Sequence, residues 1–392
     1  MNRYSNLFFL IIILILTLFM IINPQETVKA SADGLKLWFS VLVPALLPFF
    51  IVSELMVNLG FVHFLGVVLE PIMRPVFKLP GCSSLVIAMG FTSGFPVGAI
   101  LSRKLYEDNL LTANETERLV SFTNNSSPLF ILGAVGVGMF GSPAIGYLLA
   151  ASHYISNLLV GILWRSRARK SPWVDKPNRG LLKRGFAALI ESQKSNNQSV
   201  GTMISGAIKN SLNNILAISG FIIVFSIITR MFTVWGIMDI LAKLLINVFA
   251  SLNITYQLAY GLGMGIFEIT LGANTVTFSS QAPLLHQLII VSIIMGFSGL
   301  SVITQVMSIM AGTPVRLSFY LLSRFIQMIL SIVITYSGYH LFIKSLQPIT
   351  TFSIPYYKIM YSLHAWSISL YCLIAAVLII AILLIIRLLC NN

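Results

Sequence analysis

Charge is scarce in this chain: Asp, Glu, Lys and Arg make up 9% of its 392 residues, against roughly a quarter in soluble globular domains. With 57% hydrophobic residues there is too little polar material to build a water-facing shell, so a soluble fold is excluded. Histidine is rare and scattered, at His63, His153, His286, His340 and His364. No nucleophile elbow, phosphate loop or paired carboxylate accompanies these residues, so no catalytic constellation is legible and an enzyme is not expected. The three cysteines, Cys82, Cys372 and Cys390, lie in or beside apolar runs without ligand spacing. They imply neither a disulfide framework nor a zinc site, and no cofactor is expected.

What the chain has instead is apolar runs. They cover residues 7–22, 37–59, 82–102, 119–140, 143–164, 208–229, 254–275, 285–310, 315–342 and 367–389. Each approaches the roughly 20 residues that cross about 30 Å of hydrocarbon as a helix. A lone span must satisfy its own backbone hydrogen bonds, so the expected fold is all-α: a polytopic transmembrane protein of about ten spans. The N-terminus has the outline of a signal peptide, with Arg3, an apolar core and Ala30-Ser31-Ala32. The distance from Ile22 to Ala32 is long for a cleavage region, and a retained first helix is expected.

A net charge of +13 invites a nucleic-acid reading, but the bases sit beside spans. Nine of the 25 Lys and Arg fall between Arg165 and Lys194, against Asp175 and Glu191 alone. The positive-inside rule makes that connector cytoplasmic, and it is also placed to touch anionic lipid headgroups.

The chain shows signs of an internal two-fold repeat. At an offset of 171, FGSP at 140–143 lies over AGTP at 311–314, and His153 falls on Arg324. Gly34-Leu35-Lys36 lies near the place that answers Ala207-Ile208-Lys209, and Gly98-Ala99 near that of Gly272-Ala273. The expected divisions are 1–33, an N-terminal helix and linker; 34–164, a first repeat; 165–206, the basic connector; 207–343, a second repeat; and 344–392, a C-terminal loop and helix. Each half also carries an amphipathic segment, with His63, Glu70, Arg74 and Lys78 on one helical face in the first and Asp239, Lys243 and Asn247 in the second. Two placements fit: a helix on the membrane surface with an internal ion pair, or a tilted span whose polar stripe meets other helices. The choice decides whether the repeats are inverted or parallel.

Candidate function sits where helices should break. MGFTSGFPVGA at 89–99 places glycines at i, i+4 and i+8, and Pro96 removes a backbone donor in mid-run. Such a segment either packs closely through small residues or comes apart as a re-entrant or broken helix that lines a polar cavity, with Thr92, Ser93, Gly94 and Pro96 at the break. Asn124, Asn125, Ser126 and Ser127 form a second cluster. They read either as a cap ahead of Pro128 or as cavity lining at a helix N-terminus. In the second half Glu268 follows a glycine-rich stretch at 261–265, and an acid in a span is a functional hypothesis. Its structural alternative is a partnership with Arg316 or Arg324, and Glu54 competes for its role. Ser298-Gly299 and Thr304-Gln305 complete a second polar patch.

The stretches LVPALLPF at 42–49, 89–99, 124–128 and GSP at 141–143 together resemble the sporulation integral membrane proteins of the YlbJ type, whose halves belong to the Gate, or nucleoside-recognition, family. The likeness runs from about Gly34 to the Tyr339 region. It implies a protein of endospore formers that moves dipicolinic acid across the outer forespore membrane, with a distant likeness to concentrative nucleoside transporters and their paired re-entrant hairpins. An aromatic dicarboxylate needs cations or helix N-termini for its charges. Arg316 and Arg324 are the expected counter-charges, Thr92, Ser93 and residues 124–127 the polar surface, and Phe91 and Phe95 the faces for the ring. Expected partners are a small anionic solute and the lipid bilayer, with a homo-oligomer left open and nucleic acid not expected. The competing functions are a nucleoside-type or other small-solute transporter, a channel-like facilitator without ion coupling, and a membrane scaffold that recruits other sporulation proteins through the basic connector.

Overall fold

The computed structural model describes residues 3–168, 180–195, 199–250, 254–279 and 282–343. The expected helix at 367–389 lies outside the described residues. Among the described residues every regular element is helical.

The first half runs through α1 (Arg3–Ile22), α2 (Pro24–Leu37), α3 (Val43–Asn58) and α4 (Phe61–Ile72). It continues through α5 (Ser83–Ser93), α6 (Val97–Glu107), α7 (Ala113–Thr123), a wide π-helical stretch (Phe130–Met139) and α8 (Pro143–Leu163). Within the connector lies α9 (Leu181–Ser195). The second half contains α10 (Val200–Val234), α11 (Ile237–Val248), α12 (Tyr256–Phe267), α13 (Ile269–Thr277), α14 (Leu284–Phe297), α15 (Gly299–Ile309) and α16 (Leu317–Gly338).

Among the described residues four helical stretches are long and apolar enough to cross a bilayer: Pro143–Arg167, Val200–Val234, Leu284–Ile309 and Leu317–Ile343. A fifth is the pair Leu10–Ile22 and Pro24–Ser40, bent by 105° where Pro24 opens α2. The expected run at 82–102 is not one helix but two of 11 residues, because Gly94 and Pro96 interrupt it. The run at 254–275 divides likewise at Glu268, and that at 119–140 at residues 124–127. Continuous apolar length therefore overstates the number of unbroken spans. α14 is buried on all sides over residues 287–296, as expected for a helix apolar all round.

The two amphipathic segments form α4 and α11, each of 12 residues and each opened by a glycine with positive φ, Gly60 at +77° and Gly236 at +72°. Glu70 pairs at 2.8 Å with Arg184 of α9. Ser192 and Gln193 of α9 reach His63 and the Leu59 carbonyl. The connector helix thus covers the polar stripe of α4. Asp239 takes a hydrogen bond from the Tyr256 hydroxyl.

Candidate functional site

The antiparallel pair α5 and α6 forms a hairpin whose tip is residues 94–96. Gly94 has φ +79°, a backbone open to glycine at no steric cost, and a Cβ there would lie 2.7 Å from the Ser127 nitrogen. Gly90 and Gly98 both press on the Thr123 carbonyl, where a Cβ would collide. The three evenly spaced glycines therefore do both things expected of them: they pack closely, and what they pack against is a broken helix.

That break is the unwound segment 124–127 between α7 and the π-helical stretch. Its backbone is held from two neighbouring helices. From α8, His153 Nε2 accepts the Ser126 N–H at 3.2 Å and the Tyr154 hydroxyl donates to the Ser126 carbonyl at 2.8 Å. From α16, the Arg324 guanidinium donates to the carbonyls of Ser121 and Asn124 and, at 3.2 Å, to Asn157 Oδ1. The Tyr320 hydroxyl accepts from Asn124 Nδ2 at 3.0 Å. Carbonyls at the end of α7 have no intrahelical donor, and a buried guanidinium supplies one. With its peptide groups so occupied, the segment leaves Asn124 Oδ1, Asn125 Oδ1 and Ser126 Oγ buried without partners.

The second half builds a matching pair. α12 and α13 meet at Glu268, whose carboxylate caps α13 by accepting the Leu271 N–H at 2.7 Å. Gly265 and Gly272 bring the two arms together, leaving no room for a Cβ on Gly272. Beside this tip, α14 gives way to α15 at Ser298, and Gly299 approaches the Phe267 carbonyl and the Ile269 nitrogen, each 3.3 Å from where its Cβ would stand.

Between the two tips and the two breaks lies a cavity of about 380 Å³, within the range of roughly 300–1,000 Å³ that holds small molecules. Ser93, Phe95 and Pro96 line it from the first tip, and Ser126, Ser127 and Phe130 from the first break. Glu268, Ile269 and Thr270 come from the second tip, and Ser301, Val302 and Gln305 from α15. Phe50, Glu54 and Phe221 close the side facing α3 and α10. Glu54 also accepts a 2.6 Å bond from Asn210.

Of the expected site residues, the structure brings Ser93, Pro96, Ser126, Ser127, Glu268 and Gln305 to this cavity. Gly94 stands behind the tip, and Asn124 and Asn125 are fully buried behind the unwound strand. Thr92 is exposed and bonds its own helix at the Ala88 carbonyl. Thr304 does the same at the Leu300 carbonyl, pointing away from Gln305. Arg316 pairs with Glu117 at 2.8 Å and Arg324 with backbone carbonyls, so neither is Glu268's partner nor a charge in the cavity. Phe91 packs on Tyr154 instead of on the cavity. Reading the sequence missed Ser301, which lies four residues before Gln305 and so on its face, and Thr270 beside Glu268. It also missed the part His153 and Tyr154 take in pinning the break.

Broken helices around a cavity whose largely apolar wall carries a few polar side chains, in a chain with long apolar helices, define an all-helical integral membrane protein. Residues 39–156 match the Gate family, described as nucleoside recognition. Over 331 residues the chain is 39% identical to the sporulation integral membrane protein YlbJ of Bacillus subtilis (strain 168), covering 83% of this chain and 81% of that protein. The chain therefore belongs to the YlbJ family of sporulation integral membrane proteins. An uncharacterized protein of Alkalihalophilus pseudofirmus is 28% identical over 146 residues, 36% of this chain and 30% of its own. Among solved structures, a variant of CNTnw in an intermediate state aligns over 86% of both chains at 13% identity, with a TM-score of 0.47.

Proposed function

We propose that this protein is a permease of spore-forming bacteria that passes a small solute through the cavity between its two hairpin tips, with dipicolinic acid as the solute and the outer forespore membrane as the place. The observation that carries the reading is the convergence of two broken-helix pairs on one polar cavity. Irregular backbone at membrane depth is tolerated where it is buried in protein or lines such a space. The membership in the YlbJ family supplies the link to sporulation.

An inverted repeat is the arrangement that best suits this reading. The base of the α5–α6 hairpin adjoins α4, on which the connector helix α9 packs, whereas the α12–α13 hairpin touches α10, whose far end lies about 50 Å from its start at 1.5 Å per residue. Tyr260 of α12 meets Thr233 near that far end. With the connector in the cytoplasm, one hairpin enters from each side. In that arrangement α4 and α11 are the corresponding interfacial helices, and two of the ten expected spans become re-entrant hairpins.

A second reading has its own observation. Glu54 and Glu268 line the cavity while no Lys or Arg does, which suits a neutral hydroxylated solute with an aromatic ring, such as a nucleoside, better than a bare dianion. The test is uptake of dipicolinate and of uridine into vesicles carrying the full chain. Dipicolinate accumulation that is lost in Ser126→Leu, with normal membrane insertion, is the expected result. Uridine uptake in its place would select the second reading, and uptake of neither, by well-inserted protein, would overturn the permease.

A further inference from the structure

Arg324 is a cation without an anion. It lies on α16, fully inside the protein, and joins none of the ion pairs among the described residues. A guanidinium stays charged in a protein, and a buried charge is costly unless other polar groups replace the water it has lost. Here those groups are neutral oxygens. The guanidinium donates to the Ser121 carbonyl in the last turn of α7, to the Asn124 carbonyl in the unwound segment at 3.4 Å, and to Asn157 Oδ1 of α8 at 3.2 Å. The Tyr320 ring closes the site, its centre 5.2 Å from the guanidinium carbon.

That set of oxygens has a chemistry of its own. Backbone and amide oxygens gathered at a helix C-terminus, which carries partial negative charge, suit a small hard cation. In transporters built on discontinuous helices, unwound carbonyls and half-helix C-termini coordinate the coupling sodium. Arg324 stands on the oxygens that such an ion would need. A further cation on Asn124 Oδ1, which has no partner, would lie close to the guanidinium, where like charges in a low-dielectric interior repel strongly. The second break is closed locally instead: Ser298 has φ +74° and bonds the Met295 carbonyl of its own helix.

We propose that the Arg324 guanidinium is a tethered cation that takes, at the first break, the place of a coupling ion, so that the protein binds no sodium there and passes its solute without one. Held covalently, it cannot leave with the solute, and the break keeps one charge state through a transport cycle. The claim about transport rests on the permease reading, whereas the claim about the cation at the break does not.

The experiment is thermal melting of the purified full chain in detergent, with sodium, choline or guanidinium chloride at equal millimolar concentration. The parent should melt alike in all three. Arg324→Ala opens a space of the right shape, so its melting temperature should fall by several degrees and recover most of the loss in guanidinium but not in choline. Arg324→Met fills the same space with apolar atoms and should fall without recovering, a contrast that a general salt effect cannot produce. A parent stabilised by sodium over choline, or a folded Arg324→Ala that ignores guanidinium, would overturn the tethered cation. If Arg324→Ala yields no folded protein, Arg324→Lys, which keeps a tethered charge, should melt above Arg324→Met, and the reverse order would overturn the proposal. Solute uptake by the parent from sodium and from choline medium should proceed at equal rates. Sodium-dependent uptake would overturn the tethered cation and leave the permease; recovery in guanidinium by a protein whose parent takes up no solute would do the reverse.

Discussion

Glu268 carries two tasks that one substitution separates. Its carboxylate caps α13 through the Leu271 N–H and also faces the central cavity. The amide of Gln keeps an oxygen for the cap and removes the charge, so Glu268→Gln is expected to fold and insert normally while uptake falls at least tenfold. Full uptake in that variant would assign Glu268 to capping alone and leave Glu54, on the facing wall, as the acid that matters. Arg324 is a different kind of residue. Buried and bonded to the Ser121 and Asn124 carbonyls, it holds the unwound strand in place. Removing one partner of a buried charged network costs about 3–5 kcal/mol, so Arg324→Met should lower thermal stability in detergent as well as uptake. Uptake lost at unchanged stability would mean that the guanidinium meets the solute itself.

At the scale of the element, the hairpins depend on glycine for contact as well as for turning. Gly94→Ala places a methyl group 2.7 Å from the Ser127 nitrogen at a residue whose φ is +79°. With ψ at −165° this backbone lies in a region essentially reserved for glycine, at a cost to an L-residue on the order of 1–3 kcal/mol, and relieving the contact adds about 1–3 kcal/mol. A drop of several degrees in the melting temperature is expected, read by size-exclusion of heated samples. Gly220, in α10, has nothing within 4 Å of its Cβ position, so Gly220→Ala should leave the melting temperature unchanged or slightly raised. Equal effects at the two positions would show that the tip does not depend on close approach to the break.

For the whole molecule, the inverted arrangement makes a prediction about sides. Cysteines introduced at Asp108, at the base of the first hairpin, and at Phe278, at the base of the second, should react with an impermeant thiol reagent from opposite faces of the membrane. The native cysteines are first replaced by serine. A reporter near Asn178 should read cytoplasmic, on the same side as Asp108. Labelling of both introduced cysteines from one side would make the repeats parallel.

The membrane class, the helical fold and the places where helices break are properties of the sequence by itself, because each follows from local chemistry. Apolar length forces helices in hydrocarbon. Pro96 and the glycines at 90, 94 and 98 forbid one unbroken helix there, and an acid such as Glu268 is too costly for an unoccupied span. The resemblance carried by residues 42–49, 89–99 and 124–128 is local too. Partnership is not local, and there the tertiary structure decided. Glu70 stands four residues before Arg74 in sequence, but a partner at 2.8 Å, Arg184, comes from α9, 114 positions away. Arg316 and Arg324 read as counter-charges for a solute until the fold placed Glu117 beside one and the end of α7 beside the other. Asn124 and Asn125 stand beside Ser126 and Ser127 in sequence, yet both amides are buried while both serines line the cavity, a division that simple alternation along a strand does not give. Only the packing of α8 and α16 on that strand determines which face meets the cavity.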